Sequence, residues 1–220
     1  MYTEKVLSVD KLTPDVVRIV ISKPDGYSFT PGQATEVSIN KEYWFTEKRP
    51  FTFTSLPEED HLEFIIKTYP SHQGVTNQLL DIKPGDELII GDPWGAITYQ
   101  GEGVFIAGGA GITPFISIFR DLNKTNRLGQ NKLLFANKRK ADIILENELH
   151  KLLGDKMINI LSEENGAGYL SGFITRDVLR EYSCDKNAVF YVCGPPPMMD
   201  LVLRSLSDLH IADQAVVTEI

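Results

Sequence analysis

The stretch Val104-Phe105-Ile106-Ala107-Gly108-Gly109-Ala110-Gly111-Ile112-Thr113-Pro114 separates two kinds of sequence, short alternating runs before it and strand-then-helix repeats after it. Its first half is a continuous apolar run of strand length and its middle is glycine-rich. Thr113-Pro114 then opens the apolar-periodic segment Phe115 to Leu122, so the stretch predicts strand, tight turn and helix. Thr113 stands where an N-cap is expected, and Pro114 falls at the first helical position, where its missing N–H costs nothing. Such a turn directs unpaired backbone N–H groups and the positive end of a helix dipole above the sheet edge, which suits a phosphate. The same build also occurs where a helix simply packs on a strand, so the turn needs partners before it signifies a ligand.

Downstream the rhythm is regular. Strand Val104 to Ala107 leads to helix Pro114 to Asn123, and strand Lys132 to Ala136 to helix Asp142 to Leu153. Strand Met157 to Ser162 leads to helix Thr175 to Tyr182, strand Ala188 to Cys193 to helix Pro197 to Ser207, and Gln214 to Thr218 closes as a last strand. Alternation of this kind implies right-handed crossovers and a parallel sheet covered on both faces. Upstream, Val16 to Ser22, Ala34 to Ile39, Phe51 to Ser55, Leu62 to Thr68 and Glu87 to Gly91 are short runs punctuated by Pro24-Asp25-Gly26, Phe29-Thr30-Pro31-Gly32-Gln33 and Lys83-Pro84-Gly85-Asp86. They predict a closed antiparallel barrel, with Val75 to Asp81 its one helical segment. The boundary between the two halves is expected near Gln100 to Gly103.

Composition narrows the function classes. A net charge of -8 argues against a nucleic-acid or anionic-membrane surface. Met1 to Asp10 carries Glu4, Lys5 and Asp10 without an apolar core of export-signal length, and the most apolar window, Val104 to Phe119, is broken by glycines and a proline. A cytoplasmic protein is expected. Cys184 and Cys193 are too few for a disulfide framework, an iron-sulfur cluster or a Cys-based zinc site, although one disulfide stays open. His61, His72, His150 and His210 show no ligand spacing, and no metal site is expected.

Ligands of open parallel sheets bind beyond the carboxyl ends of the strands, where the strand order reverses. Val189 to Cys193 is a second apolar strand, and Gly194-Pro195-Pro196-Pro197-Met198 follows it, so this segment and Gly109 to Thr113 should border one cleft. In the barrel half, Arg49-Pro50-Phe51-Thr52-Phe53-Thr54-Ser55 combines a guanidinium fork for phosphate, a flat ring for stacking and hydroxyls for hydrogen bonds. Alternation puts Arg49, Phe51 and Phe53 on one face and Pro50, Thr52 and Thr54 on the other. By itself the segment also reads as a half-buried edge strand.

Arg49-Pro50-Phe51-Thr52, Gly74-Val75-Thr76, Gly109-Ala110-Gly111-Ile112-Thr113-Pro114 and Cys193-Gly194-Pro195-Pro196-Pro197-Met198 follow one another as in the ferredoxin-NADP reductase family. The sequence resembles that family over nearly its whole length, including Pro31-Gly32-Gln33 and Gly91-Asp92-Pro93-Trp94-Gly95. The resemblance implies a flavin-binding antiparallel β-barrel domain at 1–100 and a Rossmann-like, NAD(P)H-binding α/β domain at 101–220. Arg49 and Pro50 would lie along the flavin phosphate side, Phe51 against the isoalloxazine, Thr52 near its N5, and Gly74, Val75 and Thr76 around the pyrophosphate. Lys67 would sit close to the flavin, though a solvated lysine fits equally. Gly109, Gly111 and Thr113 would surround the dinucleotide, and Cys193, Gly194 and Met198 would border the nicotinamide.

Glu219 resembles the family's carboxylate near the flavin, although the usual terminal aromatic does not follow Ile220. The family commonly has Tyr and Ser where this sequence has Phe51 and Thr52. Thr52, Cys193 and Glu219 would then stand nearest the chemistry, with Cys193 as a small buried neighbour rather than a nucleophile. Lys138 and Arg139, after the second parallel strand, favour the 2′-phosphate of NADPH over NADH; solvent-facing charges are the alternative. FAD, the family's commoner cofactor, is expected rather than FMN.

The implied activity is transfer of electrons from NAD(P)H through bound FAD to a carrier protein: a flavodoxin, a ferredoxin or an oxygenase component. A free-flavin reductase and a nucleotide-binding electron-transfer or regulatory subunit without turnover are the competing readings.

Overall fold

Side chains that alternate along each early strand turn one apolar face inward, and the first half of the chain closes around that face. The computed structural model describes residues 1–69, 74–182 and 188–218; His72, Cys184 and Glu219 lie outside the described residues. The first sheet contains β1 (Tyr2–Thr13), β2 (Val16–Ser22), β3 (Ala34–Ile39), β4 (Arg49–Thr52), β5 (His61–Lys67) and β6 (Glu87–Ile90). Its spatial order is β4-β3-β6-β1-β2-β5, with antiparallel pairings throughout. The two edges meet through an antiparallel bridge between Phe53 and Phe64, and the Thr54 N–H donates to the Glu63 carbonyl at 2.9 Å. That contact closes the sheet as a barrel and removes its exposed edges.

On β2 the residues Val17, Ile19 and Ile21 point inward, as do Leu62, Phe64 and Ile66 on β5, and they pack with Phe53, Val37 and Leu88. The short helix α1 (Val75–Gln78) and the 3-10 turn Leu79–Asp81 cover this core with Val75 and Leu79.

The second sheet contains β7 (Gly103–Gly108), β8 (Lys132–Asn137), β9 (Met157–Leu161), β10 (Leu170–Ser171), β11 (Val189–Cys193) and β12 (Val216–Thr218). All its pairings are parallel, in the order β10-β9-β8-β7-β11-β12. Helices α2 (Thr113–Lys124) and α3 (Glu146–Leu153) cover one face, and α4 (Arg176–Tyr182) and α5 (Pro196–Asp208) the other. Neighbouring residues of β7 divide between two cores: Phe105 and Ala107 on the α2 side, Val104 and Ile106 on the α5 side. The change of sheet falls between Ile90 and Gly103. There the Tyr191 hydroxyl accepts hydrogen bonds from the Gln100 and Gly101 N–H groups at 2.8 and 3.0 Å, which pins the connection to β11. Burial pushes the Tyr191 phenol above its usual range.

Several expectations are corrected. A long first strand, β1, precedes the expected runs, and the strand expected at Phe51 to Ser55 is displaced to Arg49–Thr52. The two-residue β10 adds a strand that alternation cannot reveal. The helix expected from Asp142 starts at Glu146: Lys140–Asp142 is a 3-10 turn, Leu145 has φ 52, and the intervening path buries Ile143 and Ile144 in the core. Thr113 is not an N-cap. A 3-10 turn at Gly109–Ile112 runs directly into α2, and the Thr113 hydroxyl donates to the Ala110 carbonyl at 3.0 Å. Among the described residues, no helix is long and apolar enough to cross a membrane.

Candidate functional site

From β7 the chain moves to β8 and β9 on one side, then returns to β11 on the other, so the order reverses between the carboxyl ends of β7 and β11. Backbone carries this junction. A Cβ on Gly111 would lie 2.2 Å from the Cys193 carbonyl oxygen and 2.7 Å from the Gly194 Cα, and a Cβ on Gly108 would lie 2.5 Å from the Met198 sulfur. Glycine at 111 is therefore required by the contact between the two loops themselves, before any ligand is considered. Gly109 differs: its φ of +51 suits glycine, and nothing lies within 4 Å of where a Cβ would be. Pro196 and Pro197 occupy the first positions of α5, with Pro195 at its N-cap, where an absent N–H costs no helical hydrogen bond.

Above this junction a cavity of about 850 Å³ takes its lining from both halves of the chain. The barrel contributes Pro50, Phe51, Thr52, Lys67 and Thr76; the second sheet contributes Gly109, Gly111, Thr113, Lys138, Cys193, Gly194 and Met198. Most residues singled out in the sequence thus meet in one place. Pro50, Phe51 and Thr52 all border the cavity, so strict alternation does not separate them here. Phe51 is half-buried against the barrel core and Thr52 is buried. The Lys67 ammonium is held 2.8 Å from the Asp15 carboxylate.

Arg49, Gly74, Val75 and Arg139 are not among the lining residues. Arg49 is exposed on the rim and donates to the Lys48 carbonyl at 2.6 Å, Gly74 caps α1, and Val75 belongs to the barrel core. Lys138 and Arg139 share one carboxylate, Glu163, at 3.3 and 3.4 Å. Tyr69, Asn137, Ser162 and Phe173 also line the cavity and carried no signal in the sequence. Asn137 is the most informative of them. It ends β8, is 7% exposed, and neither its side-chain nitrogen nor its oxygen has a hydrogen-bond partner. A buried amide with both functions unmet is costly, and its place at the cavity wall suits a ligand bearing both donors and acceptors.

Residues 1–84 match the FAD-binding domain family and residues 105–204 the oxidoreductase NAD-binding domain family. The reductase component of propane 2-monooxygenase from Mycolicibacterium goodii is 30% identical over 221 residues, covering 92% of this chain and 62% of that protein. NADH-cytochrome b5 reductase 1 from Bos taurus is 30% identical over 198 residues, covering 73% of this chain and 65% of that protein. The chain thus spans somewhat less than two thirds of these curated relatives. Among solved structures, the FAD/NAD-binding domain of nitric oxide dioxygenase from Vibrio cholerae superposes with a TM-score of 0.88 at 22% identity, covering 99% of this chain and 97% of that one. A ferredoxin NADP+ reductase from Neisseria gonorrhoeae with bound FAD and NADP gives 0.84 at 20% identity, with the same coverage of 99% and 97%. The chain thus joins an FAD-binding domain to an oxidoreductase NAD-binding domain, and its fold is that of the ferredoxin-NADP reductase-like structures.

The residues present fit these cofactors. The unmet Asn137 amide matches the hydroxyls and amides of a dinucleotide, the open side of Gly109 admits a phosphate against backbone, and Phe51 offers an uncovered ring face.

Proposed function

We propose that the protein is a flavin-dependent NAD(P)H oxidoreductase that passes electrons through bound FAD to an acceptor protein. The observation that carries this reading is the single cavity lined by both halves, with Phe51 and Thr52 on one wall and Gly109 and Cys193 on the other. Bound FAD supplies hydride acceptance from the nicotinamide and release of electrons one at a time. The chain's own residues hold, orient and shield. Phe51 presents a ring face to the isoalloxazine, and the Thr52 hydroxyl supplies a hydrogen bond at the flavin edge. Arg49, on the exposed rim, reaches for the flavin phosphate together with the backbone of Pro50, Gly74, Val75 and Thr76. Lys67, with Asp15 as its counter-charge, lies beside this wall.

Across the cleft, Gly109, Gly111 and Thr113 form the dinucleotide turn. Cys193, Gly194 and Met198 exclude water around the nicotinamide. Cys193 is buried and, among the described residues, no histidine lines the cavity, which supports a packing role for the thiol. The division into a flavin domain at 1–100 and a dinucleotide domain at 101–220 belongs to the same proposal, supported by the change of sheet between β6 and β7. NADPH is preferred over NADH in this reading, on the charge of Lys138 at the cavity and of Arg139 beside it, set against Glu163 and the Asp142 carboxylate of the same loop. Relatives named as an oxygenase reductase component and a cytochrome b5 reductase support a protein acceptor, with an oxygenase component, a ferredoxin or a flavodoxin as the candidates. A cytoplasmic location, where reduced nicotinamides are made, accompanies the reading.

The absorption spectrum of the purified protein, followed anaerobically during titration with NADPH and then NADH, tests the proposal. A yellow protein whose flavin bleaches with either nucleotide, at lower concentration with NADPH, is expected. Colourless protein that oxidises NAD(P)H only with added flavin would instead make flavin the substrate. Flavin-loaded protein that oxidises neither nucleotide with artificial acceptors supplied would make it a subunit without turnover.

A further inference from the structure

The alternation that fills the barrel core also decides what β5 shows to the outside. With Leu62, Phe64 and Ile66 inward, Glu63 and Ile65 face outward, toward α2. Ile65 joins Val16 and Ile97 in the same apolar cluster as Phe115, Ile118 and Phe119, so the two halves share a core. Within that contact lies a charged group. Arg120 forks onto Glu148 of α3 through Nε at 2.6 Å and one terminal nitrogen at 3.0 Å. Its other terminal nitrogen crosses to the barrel and donates to the Glu63 carboxylate and the Thr54 carbonyl, both at 2.7 Å. Glu63 is 7% exposed and also accepts from the Thr54 hydroxyl at 2.8 Å, while its backbone N–H donates to Ser55 Oγ at 3.0 Å. Burial disfavours the Arg120 cation, but the Glu148 hydrogen bonds and the Glu63 charge outweigh that effect and hold the guanidinium charged well beyond its usual range.

Arg120 does not act alone on its helix face. Ser117 accepts the Gly32 N–H at 3.0 Å, and Lys124 pairs with Glu58. Positions 117, 120 and 124 fall on one stripe of a helix, and all three reach the barrel. The stripe connects two places the cleft depends on. Arg120 lies two helical turns, about 10 Å, from Thr113, where α2 leaves the dinucleotide turn. Thr54 is two residues beyond Thr52, and Glu63 is two before Ile65, which lines the cavity with Ile66 and Lys67. An apolar contact alone would hold the halves together without setting their angle, whereas a guanidinium fixed in plane by its bidentate pair with Glu148 presents its remaining nitrogen to the barrel in one direction.

We propose that Arg120 is a positioning residue whose guanidinium ties the helix of the dinucleotide turn to the two barrel strands that form the opposite wall, and so sets the separation across the cleft. This assignment rests on the reading of that cleft as the site of flavin and dinucleotide. Arg120 is not among the residues that line the cavity and is expected to act on the rate of transfer between the cofactors rather than on the affinity for either.

The test uses the full chain with Arg120→Met, Arg120→Lys and Glu63→Gln. In anaerobic single-turnover reduction across a range of NADPH concentrations, Arg120→Met is expected to lower the limiting rate roughly 10- to 100-fold, since displacements near 1 Å have effects of that size. Its flavin content should be unchanged and its apparent dinucleotide affinity altered less than about threefold, with Arg120→Lys recovering part of the rate. A limiting rate within about twofold of the unaltered protein, or a loss wholly in affinity, would overturn the proposal. Where Arg120→Met fails to fold because Glu63 is left buried with only Arg18, 3.9 Å away, as counter-charge, Glu63→Gln keeps the shape and the Thr54 contact, and a normal limiting rate in that variant overturns it equally.

Hydrogen exchange on flavin-free protein supplies a readout independent of turnover. Faster exchange is expected in both 117–124 and 61–67 of the variants; unchanged exchange in 61–67 would count against the tie. If the unaltered protein never reduces flavin, the functional reading fails, while the exchange result still judges the coupling.

Discussion

The two walls of the cleft are built in different ways. On the parallel-sheet side two loops meet closely: a Cβ at Gly111 would strike the Cys193 and Gly194 backbone, and Gly108 and Gly194 lie under the Met198 side chain and within reach of each other. On the barrel side the wall is side chains standing on strands, with Phe51 and Thr52 presented by β4 and Ile65, Ile66 and Lys67 by β5. A backbone wall binds through N–H groups and dipoles that substitution cannot tune, only disrupt. A side-chain wall tolerates exchange and adjusts chemistry by degree. The family resemblance shows the same contrast, since Phe51 and Thr52 stand where other members commonly carry Tyr and Ser, while the glycine turn is intact.

The strongest way to break this comparison is at Gly111. Gly111→Val puts branched carbon against the Cys193 carbonyl, and overpacking of that kind costs about 1–3 kcal/mol or more. Thermal unfolding should fall and dinucleotide binding should be lost together, whereas Gly109→Ala, with open space around it, should stay folded and lose affinity alone. Equal behaviour of the two variants would remove the distinction between packing and ligand glycines.

On the other wall, Phe51→Ala should weaken flavin retention by about 1–3 kcal/mol, from lost ring burial, in equilibrium dialysis. Thr52→Val should retain flavin and slow its reduction about 10-fold or more, as loss of one positioned hydrogen-bond donor does elsewhere. Asn137→Leu sits where the walls are joined by the end of β8. Removing an unmet buried amide should stabilise the cofactor-free protein by about 1 kcal/mol while weakening NADPH, an opposition of signs that calorimetry and titration can check. The smallest effect is expected from Glu163→Gln. It releases Lys138 and Arg139 at an exposed site, so the preference for NADPH over NADH should rise by a factor of about 2 to 5, and less at high salt.

What was legible in the sequence follows the same physics. Val16 to Ser22 and Ala34 to Ile39 alternate in outline and became strands with those bounds. The apolar run into Gly109 and Pro114 announced β7, its turn and α2, and the two strand ends met as the parallel topology requires. β10 is too short to carry a period. Leu145 adopts a left-handed backbone that no leucine signals, so the start of α3 was hidden. Gly111 reads as space for a ligand in sequence and proves to be a contact between loops. Arg120 and Glu63 are separated by 57 positions, and each looks like an ordinary surface charge until the barrel docks on α2. Asn137 was silent for a related reason: an amide at a strand end gives no pattern, and only burial without partners marks it.

The central claim is that one cleft holds flavin and dinucleotide in a fixed mutual orientation. Its most direct measurement is the fate of deuterium when flavin-loaded protein oxidises NADPH labelled at one or the other face of nicotinamide C4. The account predicts that the oxidised nucleotide loses the label completely from one diastereomer and keeps it completely in the other. Partial loss from both would mean that the walls do not hold the two rings face to face, and would contradict the account.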